Sequence, residues 1–274
     1  MPGQALTQHV ALAESRQGRS GDFMADSNTK VAIVTGGARG IGRGCALALA
    51  EKGFDLALVD LLAPELARTR GEIEALGRRC RTFEADVADH ARAKVIAAAV
   101  AEQWGRIDFL LNNAGKSMPK PLVEISEEEF DRTIAINLKS CFNYIQAVAP
   151  VMLAQGGGRI ASMSSLNAYT GGVTSAVSKF AYAAAKAGIL GMTRALAKEL
   201  GPTIAINAIC PGVIKTELGN SLTQAREPEL KKGIVLGRLG TPQDVAQLVV
   251  FLATSEPNFI TGQDFVIDGF QWVI

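Results

Sequence analysis

Seven short runs dense in apolar and β-branched residues recur along the chain: VAIVT, FDLALVD, RCRTFEAD, IDFLLNN, RIASMSS, IAINAIC and DFVIDG. Longer alanine-rich stretches such as IGRGCALALAEKG and ARAKVIAAAVAEQWG separate them, with apolar positions at helical spacing. A run that is apolar at nearly every position has no face left for water, so these segments predict strands buried on both sides. Strands and helices in alternation predict right-handed crossovers and an α/β fold: a doubly wound, mostly parallel sheet with helices on both faces. No linker or repeat interrupts the pattern over 30–274, so a single domain is expected there. Residues 1–29 differ. They are polar, lack the apolar run of a signal peptide and show no period, so a disordered leader is expected, with Met24 as an alternative start.

Composition narrows the function classes. Of 274 residues, 48% are hydrophobic and 20% charged, and the formal net charge is +1, with no basic run or acidic tail. That balance points away from nucleic acid and from a membrane surface, and no apolar stretch is long and charge-free enough to span a bilayer. Cys45, Cys80, Cys141 and Cys210 are far apart and have no metal-ligand spacing, so no metal is expected. They read as buried thiols in a reducing cytoplasm.

The first strand runs straight into TGGARGIG, Thr35 to Gly42, which opens a helix. Glycines let a backbone approach a pyrophosphate, and a helix N-terminus offers free amides, so Gly36, Arg39, Gly40, Ile41 and Gly42 are candidate contacts of a Rossmann-type site. The second strand ends in Asp60, whose carboxylate can accept from adenosine ribose hydroxyls and would repel a 2′-phosphate. Arg39 cuts the other way, since a guanidinium there can reach a phosphate. Asp60 sits nearer the discriminating oxygen, so NAD is favoured over NADP. Asp86 and Val87 end the third strand, placed for the adenine. NNAG ends the fourth: polar side chains there can tie strands together, and Asn113, Ala114 and Gly115 leave room for a cofactor. All four strand ends point to one crevice.

Tyr182 and Lys186 stand four apart in YAAAK, on one face of a helix. A free phenol titrates near pH ~10; an ammonium beside it favours the phenolate and makes a usable general acid–base.

With TGGARGIG, NNAG, Asn137, Ser165, YAAAK and PGVIKT in this order, the chain from about residue 30 to 274 resembles the short-chain dehydrogenase/reductase family, in its compact branch that includes β-ketoacyl-carrier-protein reductases and sugar, polyol and steroid dehydrogenases. The ending FITGQDFVIDGF also matches, with Phe270 where many members have a second glycine. The resemblance implies that Tyr182 is the catalytic acid–base and that Lys186 supports it and holds the nicotinamide ribose. Ser165 would steady the substrate oxygen, and Asn137 would anchor a water of a proton relay. The backbone of Pro211, Gly212 and Val213 and the hydroxyl of Thr216 would embrace the carboxamide. It also implies a homotetramer, which the apolar ending FQWVI supports.

One departure concerns the serine. In much of the family it precedes the tyrosine by thirteen residues, a count that here falls on Tyr169. Ser165 stands seventeen before, so the loop looks about four residues longer and would wall the substrate pocket. Ser164 is the rival, but alternation turns it to the opposite face. Lys116 to Lys120 and the segment ELGNSLTQAREPELKKG, a candidate lid, would complete the walls. The reading is NAD(H)-dependent interconversion of a secondary alcohol and a ketone. Asn167 and nearby hydroxyls lean towards a small polar substrate such as a sugar or polyol. The alternatives are an NADPH-dependent 3-oxoacyl thioester reductase and a cofactor-binding sensor without catalysis.

Overall fold

Each of the seven apolar runs is a strand. In a computed structural model that describes residues 29–172, 178–217 and 227–271, they are β1 Val31–Thr35, β2 Asp55–Asp60, β3 Cys80–Glu84, β4 Phe109–Asn112, β5 Gly158–Met163, β6 Ile204–Pro211 and β7 Asp264–Ile267. They form one sheet in the order β3-β2-β1-β4-β5-β6-β7, parallel at every pairing. The helices between them are α1 Gly40–Glu51, α2 Ala63–Ala75, α3 His90–Trp104, α4 Glu127–Ile134, α5 Ser140–Ala154, α6 Asn167–Thr170, α7 Phe180–Leu200, α8 Glu227–Lys232 and α9 Pro242–Thr254. A π-helical turn, Ala135–Lys139, joins α4 to α5.

Strand alternation divides the core in two. Val31, Ile33, Val59, Leu110 and Ile160 pack with residues of α3, α5 and α7. Ala32, Val34, Leu56, Leu58 and Leu111 pack with α1, α2 and α9. Both layers are built of buried apolar side chains, and each fully buried Leu or Ile contributes roughly 1.5–3 kcal/mol. The four cysteines are buried free thiols; desolvation pushes the Cys45 thiol up to about 12, which leaves it inert. No helix among the described residues is long and apolar enough to cross a membrane.

The order reverses between β1 and β4, which both lead from the middle of the sheet in opposite directions. Connections there leave a crevice outside the carboxyl ends of the strands. Residues 1–28, where a leader is expected, residues 173–177 of the loop before α7, residues 218–226 of the candidate lid, and Trp272, Val273 and Ile274 lie outside the described residues.

Candidate active site

The glycine turn is built by close approach. Gly36 has φ +65° and donates to the Val59 carbonyl at 2.7 Å. A Cβ at Gly42 would lie 2.0 Å from the Gly36 carbonyl oxygen, and one at Gly36 would lie 2.8 Å from Asn113 Nδ2. Any side chain would push turn, helix and β4 apart. Gly40, at φ +58°, turns the chain into α1, and Ile41 packs on the core below it. Arg39 precedes the helix in extended backbone, and α1 has no side-chain cap and no acidic residue in its first turn. Its leading amides therefore remain available to an anion.

Thr35 and Asn113 strap this turn to β4. Thr35 Oγ1 accepts from the Asn113 and Ala114 amides at 3.0 and 3.1 Å. Asn113 Nδ2 donates to the carbonyls of Thr35 and Gly36, each at 3.1 Å. Asn112 Nδ2 donates to Ser162 Oγ at 3.2 Å, tying β4 to β5. Sequence alone does not single out Thr35, because its partners lie 78 and 79 residues on.

Asp60 faces the turn from the end of β2. Its Oδ2 accepts from the Ala38 amide at 3.1 Å, and its Oδ1 accepts from Leu61 and Leu62 at 2.8 and 3.3 Å. A carboxylate has about four lone-pair sites, so one on Oδ2 stays open, and the long Leu62 bond is easily displaced. Asp86 is half-buried and accepts from Ala88 N at 2.9 Å and Arg132 Nη2 at 2.6 Å. Burial pushes its carboxyl upward, but these two donors prevail and hold it below the usual range. Val87 is buried, its carbonyl bonded to Asn143 Nδ2 at 3.0 Å.

At the other end of the crevice Tyr182 is half-buried, and Lys186 is 3% exposed. The Lys186 ammonium lies 5.5 Å from the Tyr182 ring centroid and donates to the Met163 carbonyl at 2.7 Å. A Cβ on Gly115 would lie 2.9 Å from Asn137 Oδ1 and 3.4 Å from Lys186 Nζ, so a glycine is needed where these meet. Asn137 is fully buried in the π-helical turn. Its Oδ1 accepts from Lys116 N at 3.0 Å, and its Nδ2 donates to the carbonyls of Lys116 and Thr133 at 2.9 and 3.0 Å. A hollow of about 480 Å³ opens beside it, lined by Lys116, Ser117, Met118, Thr133 and Ile136.

The two candidate serines are in different environments. Ser164 is 4% exposed, and its hydroxyl donates to the Lys186 carbonyl at 2.7 Å. Ser165 is half-buried, and its oxygen accepts from Asn167 N at 3.2 Å, while its own hydrogen has no acceptor among the described residues. β5 ends at Met163, so Ser165 stands two residues past the strand's last residue. The longer loop starts with the single turn α6 and reaches Gly171 at φ +70°. Tyr169 packs against the core.

Where β6 ends, backbone groups of Pro211, Gly212 and Val213, expected to embrace the carboxamide, already have partners within the protein. The Val213 N–H is taken by Gln271 Oε1 at 3.0 Å and its carbonyl by Gly240 N at 3.1 Å. The Pro211 carbonyl accepts from Leu166 N at 3.0 Å, and Gly212 N donates to Ile267 O at 3.1 Å. Lys215 N donates to Gly240 O at 2.8 Å, whereas the amides of Ile214 and Thr216 make no hydrogen bond among the described residues; sequence alone does not single out Ile214. Thr216 sits against the turn, its Cγ2 3.5 Å from where a Gly40 Cβ would be. A larger open groove, about 660 Å³, lies at the opposite ends of the strands, near Lys30, Arg106 and Arg159. Arg106 and Arg159 are paired there with Asp108 and Glu256, and none of the acid–base groups described above reaches it.

The crevice thus offers a side-chain-free cradle at Gly36 and Gly42, a carboxylate at one end and a phenol–ammonium pair at the other. These residues fit a dinucleotide. A family model described as enoyl-(acyl carrier protein) reductase matches residues 36–269. The 3-oxoacyl-[acyl-carrier-protein] reductase FabG of Thermotoga maritima is 39% identical over 242 residues, 88% of this chain and 96% of its own. D-threitol dehydrogenase of Mycolicibacterium smegmatis is 41% identical over 251 residues, 90% and 94% of the two chains. The crystal structure of carveol dehydrogenase from Mycobacterium avium in complex with NAD superposes with a TM-score of 0.83 at 29% identity, covering 88% and 97%.

Proposed function

The chain belongs to the short-chain dehydrogenase/reductase family, oxidoreductases that act on CH–OH groups with NAD(P), and from this premise we propose that it interconverts a small polar secondary alcohol and its ketone with NAD(H). The observation that carries the proposal is Tyr182, Lys186 and Ser165 at one end of a crevice whose other end holds Asp60. The bound nicotinamide supplies the hydride acceptor or donor. In the oxidising direction Tyr182 Oη takes the proton of the substrate hydroxyl, and Ser165 donates to the substrate oxygen. Lys186 has two N–H donors beyond its bond to Met163, one for the ribose hydroxyls and one for the proton path. Asn137 Oδ1 keeps a lone pair for a relay water while holding Lys116 in place. The Thr216 hydroxyl and the Ile214 amide would hold the carboxamide of the bound cofactor.

Asp60 supports NAD over NADP, and its Ala38 bond keeps the charge beside the turn. Asn167, half-buried on α6, supports a hydroxylated substrate, as does the D-threitol dehydrogenase relative. A second reading, NADPH-dependent reduction of a 3-oxoacyl thioester, is favoured by Arg39 and the FabG relative. Measuring NAD⁺ and NADP⁺ reduction over a polyol and sugar library, beside NADPH oxidation with acetoacetyl thioesters, separates the two. Turnover of thioesters alone overturns the first reading. The enzyme assembles as a homotetramer in the cytoplasm: Phe251, Phe259 and Phe270 are exposed, and the free thiols suit a reducing compartment.

A further inference from the structure

Glu217 joins three elements that are far apart in sequence. It follows Thr216, the residue seated against Gly40, and its carboxylate reaches the helices on the far side of the glycine turn. Oε1 accepts from Arg43 Nη1 of α1 at 3.0 Å, and Oε2 accepts from Arg68 Nη2 of α2 at 2.9 Å. Arg43 also grips Glu72 of α2 with two bonds, at 2.8 and 2.7 Å, and Arg68 Nε lies 3.8 Å from Glu72. Two carboxylates and two guanidinia therefore close a ring over the α1–α2 face. On the same segment Lys215 is fastened the other way, to Glu227 of α8 at 3.0 Å.

We propose that Glu217 is a positioning residue for the dinucleotide: by bridging Arg43 and Arg68 it clips the Pro211–Glu217 segment across the glycine turn, so that Thr216 stays opposite Gly40 and the cofactor leaves only when the bridge breaks. This rests on the crevice being the dinucleotide site. The ring is electrically balanced, so it fastens the segment without adding net negative charge beside a pyrophosphate. Each pair is partly exposed and weak alone. Together they act at one point, where the segment leaves β6 and meets the turn. A bridge of this kind governs how long a ligand stays more than how well the chemistry runs.

The test is stopped-flow displacement of NADH from the full chain, followed by nucleotide fluorescence, in the unmodified protein, Glu217→Gln, Arg68→Met and the double variant. Glu217→Gln should release NADH about 3–10 times faster and raise its Kd by the same factor, as the loss of about 1 kcal/mol requires. KM for the cofactor should rise with it while kcat is held or rises. Arg68→Met should do less, and the double variant should be no worse than Glu217→Gln, since the Arg68–Glu217 pair is lost in both single variants. High salt should bring the unmodified protein and Glu217→Gln together. Equal release rates, additive effects, or a fall in Tm without faster release would overturn the proposal. If NADPH binds in place of NADH, the cofactor assignment fails alone and the bridge is read on NADPH. If neither binds, both fall.

Discussion

The Lys186 ammonium lies under the Tyr182 ring, 5.5 Å from its centroid, and is held there by the Met163 carbonyl at 2.7 Å. That bond restrains the lysine and keeps its Nζ beside the phenol ring. Tyr182→Phe removes the proton-transferring oxygen and little else, because the ring remains. Turnover should fall by about 10²–10⁴-fold, with NADH affinity by fluorescence titration within about twofold of the original. Substantial residual turnover would assign the proton to another group.

The adjacent serines should separate cleanly. Ser165→Ala removes a hydroxyl at the substrate end, so kcat should drop about 10²-fold or more while Tm stays put. Ser164→Ala removes the buried bond to the Lys186 carbonyl and should cost about 1 kcal/mol of stability, seen as a lower urea midpoint. The opposite pattern would make Ser164 the catalytic serine.

Asp60 has a structural and a recognition role at once. Asp60→Ala strips acceptors from the Ala38, Leu61 and Leu62 amides and removes the charge that opposes a 2′-phosphate. Kd for NADH should rise about tenfold or more, the equivalent of one charged hydrogen bond, while that for NADPH falls or holds. Asp60→Asn keeps amide acceptance through one oxygen and separates charge from packing. An unmodified protein that prefers NADPH would refute the assignment.

The strands are legible because a parallel sheet covered on both faces leaves each strand continuously apolar, and all seven runs form a strand. Ser165 is distinguishable from Ser164 for a related reason: pairing continues past β5, through Ser164 N to Ile209 O and Leu166 N to Pro211 O, so alternation still holds there. What cannot be read depends on contacts without local pattern. Thr35 gains its role from β4 and Glu217 from Arg43, 174 residues away. The π-helical turn that buries Asn137 has the same apolar spacing as a helix. The family resemblance of PGVIKT implies that the backbone of Pro211–Val213 embraces the carboxamide, but Gln271, brought beside β6 by β7, takes the Val213 amide.

The last prediction concerns acid stability. Asp244 caps α9: it accepts from Thr241 N at 2.7 Å and takes two bonds from Arg238, at 2.7 and 2.8 Å. The Arg238 bonds, aided by Thr241 and opposed by burial, hold its carboxyl far below the ordinary 3.8. A carboxyl with a lowered folded pKa binds its proton more readily when unfolded. Its stabilisation is therefore complete above about pH 5 and disappears as pH falls through the folded value. The site is partly exposed, so screening limits the effect to about 1 kcal/mol or less. Asp244→Asn can still cap the helix but has no charge for Arg238, so it should be less stable at pH 7 by that margin. The two unfolding midpoints should approach each other from pH 5 to pH ~2 and in high salt. A gap that stays constant with pH would show that packing of α9 on Gly44, where a Cβ would lie 2.7 Å from Pro242, outweighs the charged cap.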